Sequence, residues 1–495
     1  KQRRGGITVA DVAAATALPL PAVRELVPRA ADEFRGRLKV TQSGEILYSF
    51  LEGFTSRYRS PTARLNRFLD RLLTISLAAL SWLFKAWIVV MLLGYFALFM
   101  IIALAALVLS VAGNSSSSNS RSRSSSGGGV YLAAHVFDLI IRLWFYSELT
   151  KSMSGGYGRG YGNPYARGGQ GGLFGGSAKP KGRPLHKAVF SFVFGEEDPN
   201  KDADSAEKRA LIACVSSNRG LIGLPEYMAI TGLGPQEAEQ GILSFCAEFG
   251  GLPEATDDGT IIYRFGDILL RSDTPHPAAG IAKDSAPLRR LRPFSANTKT
   301  MNAWFGIINA VNLFFGSYFF YQAVHVGIIR TNEELAIAPR LYGVAYYALS
   351  TTIIENPQPF MLIGLGLVPL LFSFFFWIIP ALRRARLGNE NQGIKKRNLR
   401  KIGFRTIWDK IRGIRAADIA SPAEECRPKT LEMEQERVIT EMGTYSQPEE
   451  EVDDGGTTLY HFTGLEREKR ALAASRAEVN PADFAIGKIV FDSGE

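Results

Sequence analysis

The residue types that carry most catalytic and metal chemistry are sparse in this chain. Five histidines are scattered along 495 residues, and none stands at metal-ligand spacing from another. The three cysteines, Cys214, Cys246 and Cys426, form no Cys-x-x-Cys pair, so neither a zinc site nor a disulfide framework is indicated. No nucleophile stands beside a base, and the Gly-rich tract 154–176 contains no phosphate-loop motif. We therefore expect a protein that is not an enzyme and has no metal site.

Two histidines lie in apolar segments, where another role is open to them. His135 and His325 could each ligate the magnesium of a chlorophyll through a neutral ring nitrogen. The alternative is a histidine that packs against another helix or lies at the membrane interface. Apart from such a pigment or a bound lipid, we expect no cofactor.

Long apolar blocks dominate the hydropathy pattern and predict membrane spans. Ala86–Ala112 carries no charge, and as a helix it would reach about 40 Å, more than a hydrocarbon core of about 30 Å. Segment 341–354 is too short to cross. Further spans are predicted at 130–149, 303–329 and 360–382.

Polar side chains inside these blocks predict contacts with other helices. Asn309 and Asn312 are three residues apart and share a helical face, so we expect them to hydrogen-bond to a neighbouring helix. His135, Asp138 and Arg142 also share a face, and Asp138 can pair with Arg142. This stripe fits either a span that faces a protein partner or an interfacial helix.

Basic flanks predict the orientation of the spans. Arginines precede the first and third blocks and follow the last, so the positive-inside rule places these flanks on one side. An even number of crossings must then separate Arg71 from Arg289, and 130–149 should return through the membrane. The sequence predicts a mainly α-helical membrane protein with about four transmembrane helices in two hairpins.

A basic block, residues 383–415, follows the last span and contains twelve Lys or Arg. Attraction to anionic lipid is worth about 1 kcal/mol per nearby cation, and the apolar residues of 402–414 favour an interfacial helix. A plain topology anchor is the alternative. The cations expected at the membrane surface are Arg383, Arg384, Arg386, Lys395, Lys396, Arg397, Arg400 and Lys401.

A short signature occurs three times outside the apolar blocks. It reads SGEILYSF at 43–50, DGTIIYRF at 258–265 and GGTTLYHF at 455–462. Each copy follows helical patterns and contains a Gly suited to the positive φ of a tight hairpin. Helix, turn, helix and hairpin is the order of a winged helix. We therefore predict three small α+β winged-helix-like modules, with the signature packed on the helices.

The charges of these modules favour protein partners over DNA. The second and third modules present acidic helices, which the phosphate backbone would repel. Only the first module, with Arg24 and Arg29, could approach DNA. The polar residues of the acidic helices include Gln236, Glu237, Glu239, Glu432, Glu434 and Glu436.

The predicted organisation alternates modules with membrane segments. Its boundaries are 1–58 for module 1, 62–149 for hairpin 1 with its Ser/Gly loop, 150–186 for a Gly-rich linker, 187–275 for module 2, 276–300 for a basic linker, 301–383 for hairpin 2, 384–420 for a basic amphipathic surface segment, and 421–495 for module 3 with the C-terminal tail.

The chain ends in NPADFAIGKIVFDSGE. With its modules around membrane hairpins, this ending resembles a poorly characterised family of chloroplast and cyanobacterial membrane proteins. In plants that family has carried an iron-sulfur-biosynthesis label, which the absence of a cysteine cluster here does not support. The resemblance implies a plastid membrane, with the basic side and the modules in the stroma, and we expect a multi-pass protein of the thylakoid. It transfers no catalytic residue.

Our functional hypothesis is a non-enzymatic scaffold or linker whose modules dock partner proteins in a photosynthetic supercomplex. Expected partners are membrane lipids, an integral complex such as a photosystem, and peripheral antenna or phycobilisome subunits, with no nucleic acid. The alternatives are a transient assembly or insertion factor, a membrane-tethered DNA-binding regulator and an oligomeric transporter.

Overall fold

A computed structural model describes most of the chain. The described residues are 6–50, 61–113, 184–271, 287–326, 340–352, 355–421, 428–484 and 486–493. The chain divides into two compact units. Unit 1 comprises 1–68, 198–292 and 388–495, and unit 2 comprises 69–197 and 293–387.

Helices make up most of the described structure. They are α1 (Val9–Thr16), α2 (Leu20–Glu33), α3 (Pro61–Val89), α4 (Tyr95–Gly113), α5 (Leu185–Phe194), α6 (Ala203–Ser217), α7 (Leu224–Thr231), α8 (Pro235–Phe249), α9 (Lys299–Val326), α10 (Arg340–Thr352), α11 (Val368–Lys410), α12 (Pro428–Gly443) and α13 (Thr463–Glu478). Two π-helical stretches, Val90–Gly94 and Phe360–Leu367, adjoin α4 and α11.

The strands are short and form three small antiparallel sheets. They are β1 (Arg37–Thr41), β2 (Ile46–Ser49), β3 (Leu221–Gly223), β4 (Leu252–Ala255), β5 (Ile261–Arg264), β6 (Glu449–Val452), β7 (Thr458–His461) and β8 (Ile489–Asp492). The sheet orders are β2-β1-β8, β3-β5-β4 and β6-β7.

Unit 1 contains the three signatures, and each one forms the second strand of a hairpin that follows a helix. The tyrosine of each signature pairs across the sheet with an isoleucine from an earlier part of the same copy. These pairs are Ile7 with Tyr48, Ile222 with Tyr263, and Ile414 with Tyr460. The three copies therefore share one strand register as well as one element order.

The hairpin turns explain the glycine of the signature. Gly44, Gly259 and Gly456 have φ of 81°, 74° and 76°, a region that side chains with a Cβ rarely adopt. A Cβ at any of these positions would meet nothing within 4 Å, so the backbone conformation, not space, requires glycine. This confirms the positive φ that the sequence predicts.

The third copy begins earlier than its predicted boundary at 421. Ile414 supplies the strand partner of Tyr460, and a 3-10 helix, Ala416–Asp418, precedes α12. The side-chain amide of Gln435 donates to the Ile419 carbonyl at 2.5 Å, which ties this stretch to α12. The end of the predicted surface segment is therefore part of the third copy.

One hydrophobic core joins the three copies. It includes Val23 of the first, Ile242 of the second and Val438 of the third, together with Phe404 of α11 and Leu472 of α13. Since burying side chains of this size contributes about 1.5–3 kcal/mol each, the shared core holds the copies in one body. The sequence predicted separate modules and did not reveal this common core.

Unit 2 contains the apolar parts of helices that are long enough to cross a membrane. Among the described residues there are three, at Phe68–Leu109, Lys299–His325 and Phe360–Lys410. They confirm three of the four predicted spans as candidates, while 130–149 lies outside the described residues. The segment predicted as too short to cross forms α10, a helix of 13 residues.

Two apolar clusters mark the two ends of unit 2. The basic-end cluster contains Ile88, Phe305 and Phe376, and the far-end cluster contains Phe99, Phe319 and Met361. In the first two candidate spans the basic-end residues come first along the chain, whereas in the third they come last. The first two spans are therefore parallel to each other and antiparallel to the third.

Helix α5 packs at the basic end. Asn297, just before α9, donates to the Ala188 carbonyl at 2.7 Å, and Arg383 of α11 donates to the Phe192 carbonyl at 2.7 Å. The ammonium of Lys85, at the start of the first apolar block, lies 4.6 Å from the centre of the Phe190 ring. Lys85, Asn297 and Arg383, from the three candidate spans or the residues just before them, therefore all contact α5 at this end.

Candidate docking surface and membrane contacts

An acidic surface covers one side of the third copy, and two elements build it. Helix α12 buries Val438, Ile439 and Met442 in the core, so Glu432, Met433 and Glu436 on its other side are exposed. Within the described residues strand β6 pairs with β7 alone, and all four residues Glu449–Val452 are exposed. We call these outward residues of α12 and β6 the acidic surface.

Tyr460 of β7 lies between the two parts of the acidic surface. Burial raises the pKa of its hydroxyl, and the charges of Glu450 and Glu436 raise it further. Both carboxylates therefore lie close to this ring. Glu432, Glu436 and Glu450 form no ion pair with any residue that the structure describes.

Exposed apolar side chains accompany these charges. Met433 is 62% exposed and Val452 is 66% exposed. Methionine adapts its shape to irregular partners, and apolar side chains rimmed by charge are typical of protein interfaces. The surface suits a protein partner that carries basic residues, and its charge opposes nucleic acid.

The two arginines that could approach DNA are held by carboxylates. A guanidinium nitrogen of Arg24 lies 2.7 Å from Asp267, and one of Arg29 lies 2.6 Å from Glu25. Pairs this exposed contribute little stability, but they lower the local positive charge. The first copy therefore offers less attraction for phosphate than its sequence indicates.

The basic block is only in part a surface, which corrects the expectation that all of it contacts lipid. Lys401 is 1% exposed, and the three cations Arg397, Arg400 and Lys401 bind carboxylates of unit 1. The apolar residues Phe404 and Ile407 lie in the core, not against lipid. A helix with this apolar face packs as well on a protein core as on a membrane, and here the core covers it.

The remaining basic residues differ in exposure. Arg384, Arg386 and Lys396 are exposed and Lys395 is half-buried, so surface contact with lipid stays a prediction for them. Arg383 instead places its guanidinium 4.3 Å from the centre of the Phe294 ring, in unit 2.

Glu207 of α6 is the centre of a buried charge cluster. Its carboxylate accepts from Lys401 Nζ at 2.7 Å, from Arg397 Nη2 at 2.8 Å and from Arg289 Nε at 3.1 Å. Burial lowers the pKa of Lys401, while Glu207 acts in the opposite direction. The cluster joins α6, the segment after residue 286 and α11, so its role is structural.

Glu468 of α13 is a second buried carboxylate. The hydroxyl of Tyr445 donates to its two oxygens at 3.0 and 3.2 Å. Burial raises the pKa of Glu468 to about 7, and the charge of Glu226 adds to the increase. Glu226 itself is bound by Arg476 at 2.6 Å.

Neither buried carboxylate was among the predicted site residues, although the helical spacing contains a signal. Glu468 lies between Leu465 and Leu472, three and four residues away, and so shares their buried face. Glu207 precedes Ala210 and Leu211 by the same intervals. A carboxylate at a core position of an amphipathic helix is the pattern to look for.

The predicted intramembrane asparagines are both fully buried in unit 2. Asn309 Nδ2 donates to the Ser373 carbonyl at 3.1 Å, and Asn312 Nδ2 donates to the Leu92 carbonyl at 2.8 Å. Leu92 lies in the π-helical stretch, where the ordinary hydrogen-bond ladder is interrupted. Each asparagine therefore ties α9 to another candidate span, as predicted.

Replacing Asn312 with leucine is expected to lower the free energy of unfolding by about 0.6–1.7 kcal/mol, because the Leu92 carbonyl loses its side-chain donor. The measurement is thermal unfolding of the full-length protein in detergent. Ser317→Leu, at an exposed position of the same helix, is the control and should cost nothing. Equal melting temperatures for the two variants would contradict this role of Asn312.

The remaining predicted site residues give a mixed outcome. His135, Asp138 and Arg142 lie outside the described residues. His325 is exposed, and its Nδ1 is 2.8 Å from the Tyr321 carbonyl, which leaves Nε2 as the nitrogen able to ligate a metal. Pigment ligation by His325 stays a prediction.

Metal and thiol chemistry gain no support from the residues with assigned positions. Within them, no group of three or more His, Cys, Asp or Glu side chains is arranged to hold a metal ion. Burial raises the pKa of Cys214 to about 12 and that of Cys246 to about 11, so both are unreactive thiols at neutral pH.

Comparison with known proteins gives one distant relative. An uncharacterised chloroplastic protein of Arabidopsis thaliana is 23% identical over 427 residues, which are 84% of this chain and 71% of the relative. No family model matches the chain, and no solved structure matches it significantly. The relative supports a poorly characterised chloroplast family, and with the three apolar helices it is consistent with a membrane protein of the plastid.

Proposed function

We propose that this protein is a non-enzymatic membrane scaffold that docks partner proteins on unit 1 in a plastid membrane, the thylakoid in particular. The observation that carries the proposal is the acidic surface, where Glu432, Glu436 and Glu450, which have no described ion pair, occur on the same two elements as exposed Met433 and Val452. The spans of unit 2 would anchor this surface beside an integral complex such as a photosystem. An antenna or phycobilisome subunit with basic residues would be the docked partner.

The three copies are winged-helix-like modules in this proposal. In the second copy a helix, α6, precedes β3, two helices and a two-stranded hairpin, and β3 completes the sheet. That element order supports a winged helix. Acidic exposed residues on α8 and α12 favour its use for protein binding.

We also propose that the membrane part has four spans, with 130–149 as the return crossing. The support comes from unit 2, where the first two candidate spans are parallel. The chain leaves the first candidate span at the far end and begins the second at the basic end. It must therefore cross the membrane once between them. The positive-inside rule then places the basic end, and the large polar segments with it, on the stromal side.

Mild-detergent extraction of the native membrane, with the protein tagged, tests the proposal. We expect stoichiometric comigration with a photosystem or antenna complex. Migration alone, or only with immature subunits, would overturn the scaffold in favour of a transient assembly factor.

Charge reversal tests the acidic surface itself. Glu436→Lys with Glu450→Lys is expected to weaken partner binding by about tenfold or more, because the two side chains flank Tyr460 and face the partner's cations. The matched control is Asp257→Lys with Asp258→Lys, an equal charge change at the exposed hairpin tip of the second copy. The readout is the fraction of the tagged protein that comigrates with the complex, and equal loss in both variants would assign the effect to net charge.

A further inference from the structure

An apolar groove runs along unit 2 at its basic end. Its volume is about 370 Å³, and α3, α5 and α11 supply its walls with the stretch around 90–94. Trp87 is 50% exposed and Phe375 is 53% exposed, so the groove is open along one side. The principal walls are Phe84, Trp87, Met91, Phe194, Leu371 and Phe375.

The position of the groove determines what can fill it. Two of its walls are candidate membrane spans, and around a helix that crosses a bilayer the medium is hydrocarbon. Unfilled space beside aromatic rings forfeits dispersion contacts, and an acyl chain restores them without leaving any polar group unsatisfied. A folded protein segment would need more room and would bring backbone groups into the groove.

Two cations lie beside the α5 wall of the groove, which Val193 and Phe194 form at the end of that helix. Lys85 is the residue after groove-lining Phe84, and Lys187 is exposed two residues into α5. The ammonium of Lys85 is 4.6 Å from the centre of the Phe190 ring, which follows Lys187 by three residues on α5 and lies 4.9 Å from the ring of groove-lining Phe194. Burial lowers the pKa of His186, and the charges of Lys187 and Lys85 lower it further. Neither lysine forms an ion pair with a residue whose position is described.

Other charges nearby are already engaged. The guanidinium of Arg383 donates to the Phe192 carbonyl at 2.7 Å and stacks on Phe294. Glu196 accepts a hydrogen bond from the Ser191 hydroxyl and lies near Arg383. Lys85 and Lys187, by contrast, have no described ion pair and can face an anion beside the groove.

We propose that this groove binds one acyl chain of an anionic membrane lipid whose headgroup contacts Lys85 and Lys187. A neutral lipid would fill the groove equally well but would gain nothing from the lysines. An anionic headgroup gains roughly a fivefold increase in affinity per cation, so the site selects charge at one end and shape along its length.

Native mass spectrometry of the full-length protein tests the proposal. The protein is exposed to equal amounts of phosphatidylglycerol and phosphatidylcholine before detergent removal. We expect wild type to retain one phosphatidylglycerol in preference to phosphatidylcholine. Lys85→Gln with Lys187→Gln should reduce that preference by roughly 25-fold. Leu371→Trp, which fills the groove, should reduce retention of both lipids.

Two control variants separate the site from general effects. Arg71→Gln removes an exposed cation of α3 outside the groove, and Leu98→Trp adds an indole at a half-exposed position that does not line it. Both should retain phosphatidylglycerol as wild type does. Equal retention of the two lipids by wild type, or retention unchanged in the double lysine variant or in Leu371→Trp, would overturn the proposal.

Discussion

Replacing Glu207 with glutamine is expected to lower the free energy of unfolding by about 3–5 kcal/mol. The carboxylate is the shared acceptor of Arg289, Arg397 and Lys401, and Lys401 is 1% exposed. Glutamine keeps the shape but removes the charge, so the lysine ammonium would lose its countercharge while it stays buried. Thermal and urea unfolding of the full-length protein in detergent measure the loss.

Two comparisons make this expectation specific. Asp204→Asn removes another carboxylate that contacts Arg289, but its side chain is 82% exposed, and the change should cost no more than about 1 kcal/mol. Glu207→Leu with Lys401→Met removes both charges and should recover much of the stability, since apolar side chains can replace a buried pair. If the double variant were as unstable as Glu207→Gln, loss of packing and not the unpaired ammonium would be the cause.

Glu468→Gln is expected to stabilise the protein at pH 8 by up to about 3 kcal/mol and to change little near pH 4.5. In the folded state the pKa of Glu468 is about 7, against an ordinary value of 4.5. At pH 8 the folded protein must hold a buried carboxylate anion near Glu226. Glutamine removes that cost, and its amide oxygen can still accept from Tyr445.

The pH dependence follows from proton counting. Between pH 4.5 and 7 the folded protein keeps the proton on Glu468, whereas the unfolded chain has released it. The contribution of Glu468 to the free energy of unfolding is therefore greatest below pH 4.5, falls between pH 4.5 and 7, and is constant above pH 7. Unfolding temperatures of wild type and Glu468→Gln from pH 4.5 to 8 measure the difference between the two.

The control is Glu478→Gln, an exposed carboxylate on the same helix. Its profile should run parallel to that of wild type at all pH values. Parallel profiles for Glu468→Gln as well would mean that Glu468 is ionised in both states across the range.

Local features of the fold follow from the sequence because they depend on nearby residues. The hairpin glycines, the apolar lengths of three candidate spans and the shared face of Asn309 and Asn312 are all set by spacing within a few turns or strands. Turn chemistry and helical periodicity decide such features, and no distant partner alters them.

Features that depend on distant partners did not follow from the sequence. The 402–414 stretch has the amphipathic pattern of a membrane-surface helix, yet Phe404 and Ile407 pack in the core that the three copies share. The pattern shows that one face is covered but not by what. For the same reason the sequence around Arg397 and Lys401 does not predict that Glu207, almost 200 residues away, binds both cations.

Strand β8 brings the last residues of the chain back to the first sheet. It pairs with β1, about 450 residues earlier, and Lys39 binds Asp492 at 2.8 Å across this pair. At about 5–20 residues per second, the ribosome needs roughly 20–90 s to deliver β8 after β1 has emerged. Throughout that interval β1 presents an open edge, the kind of surface that recruits chaperones or mispairs. A chain cut short before β8 would keep this edge of β1 open permanently.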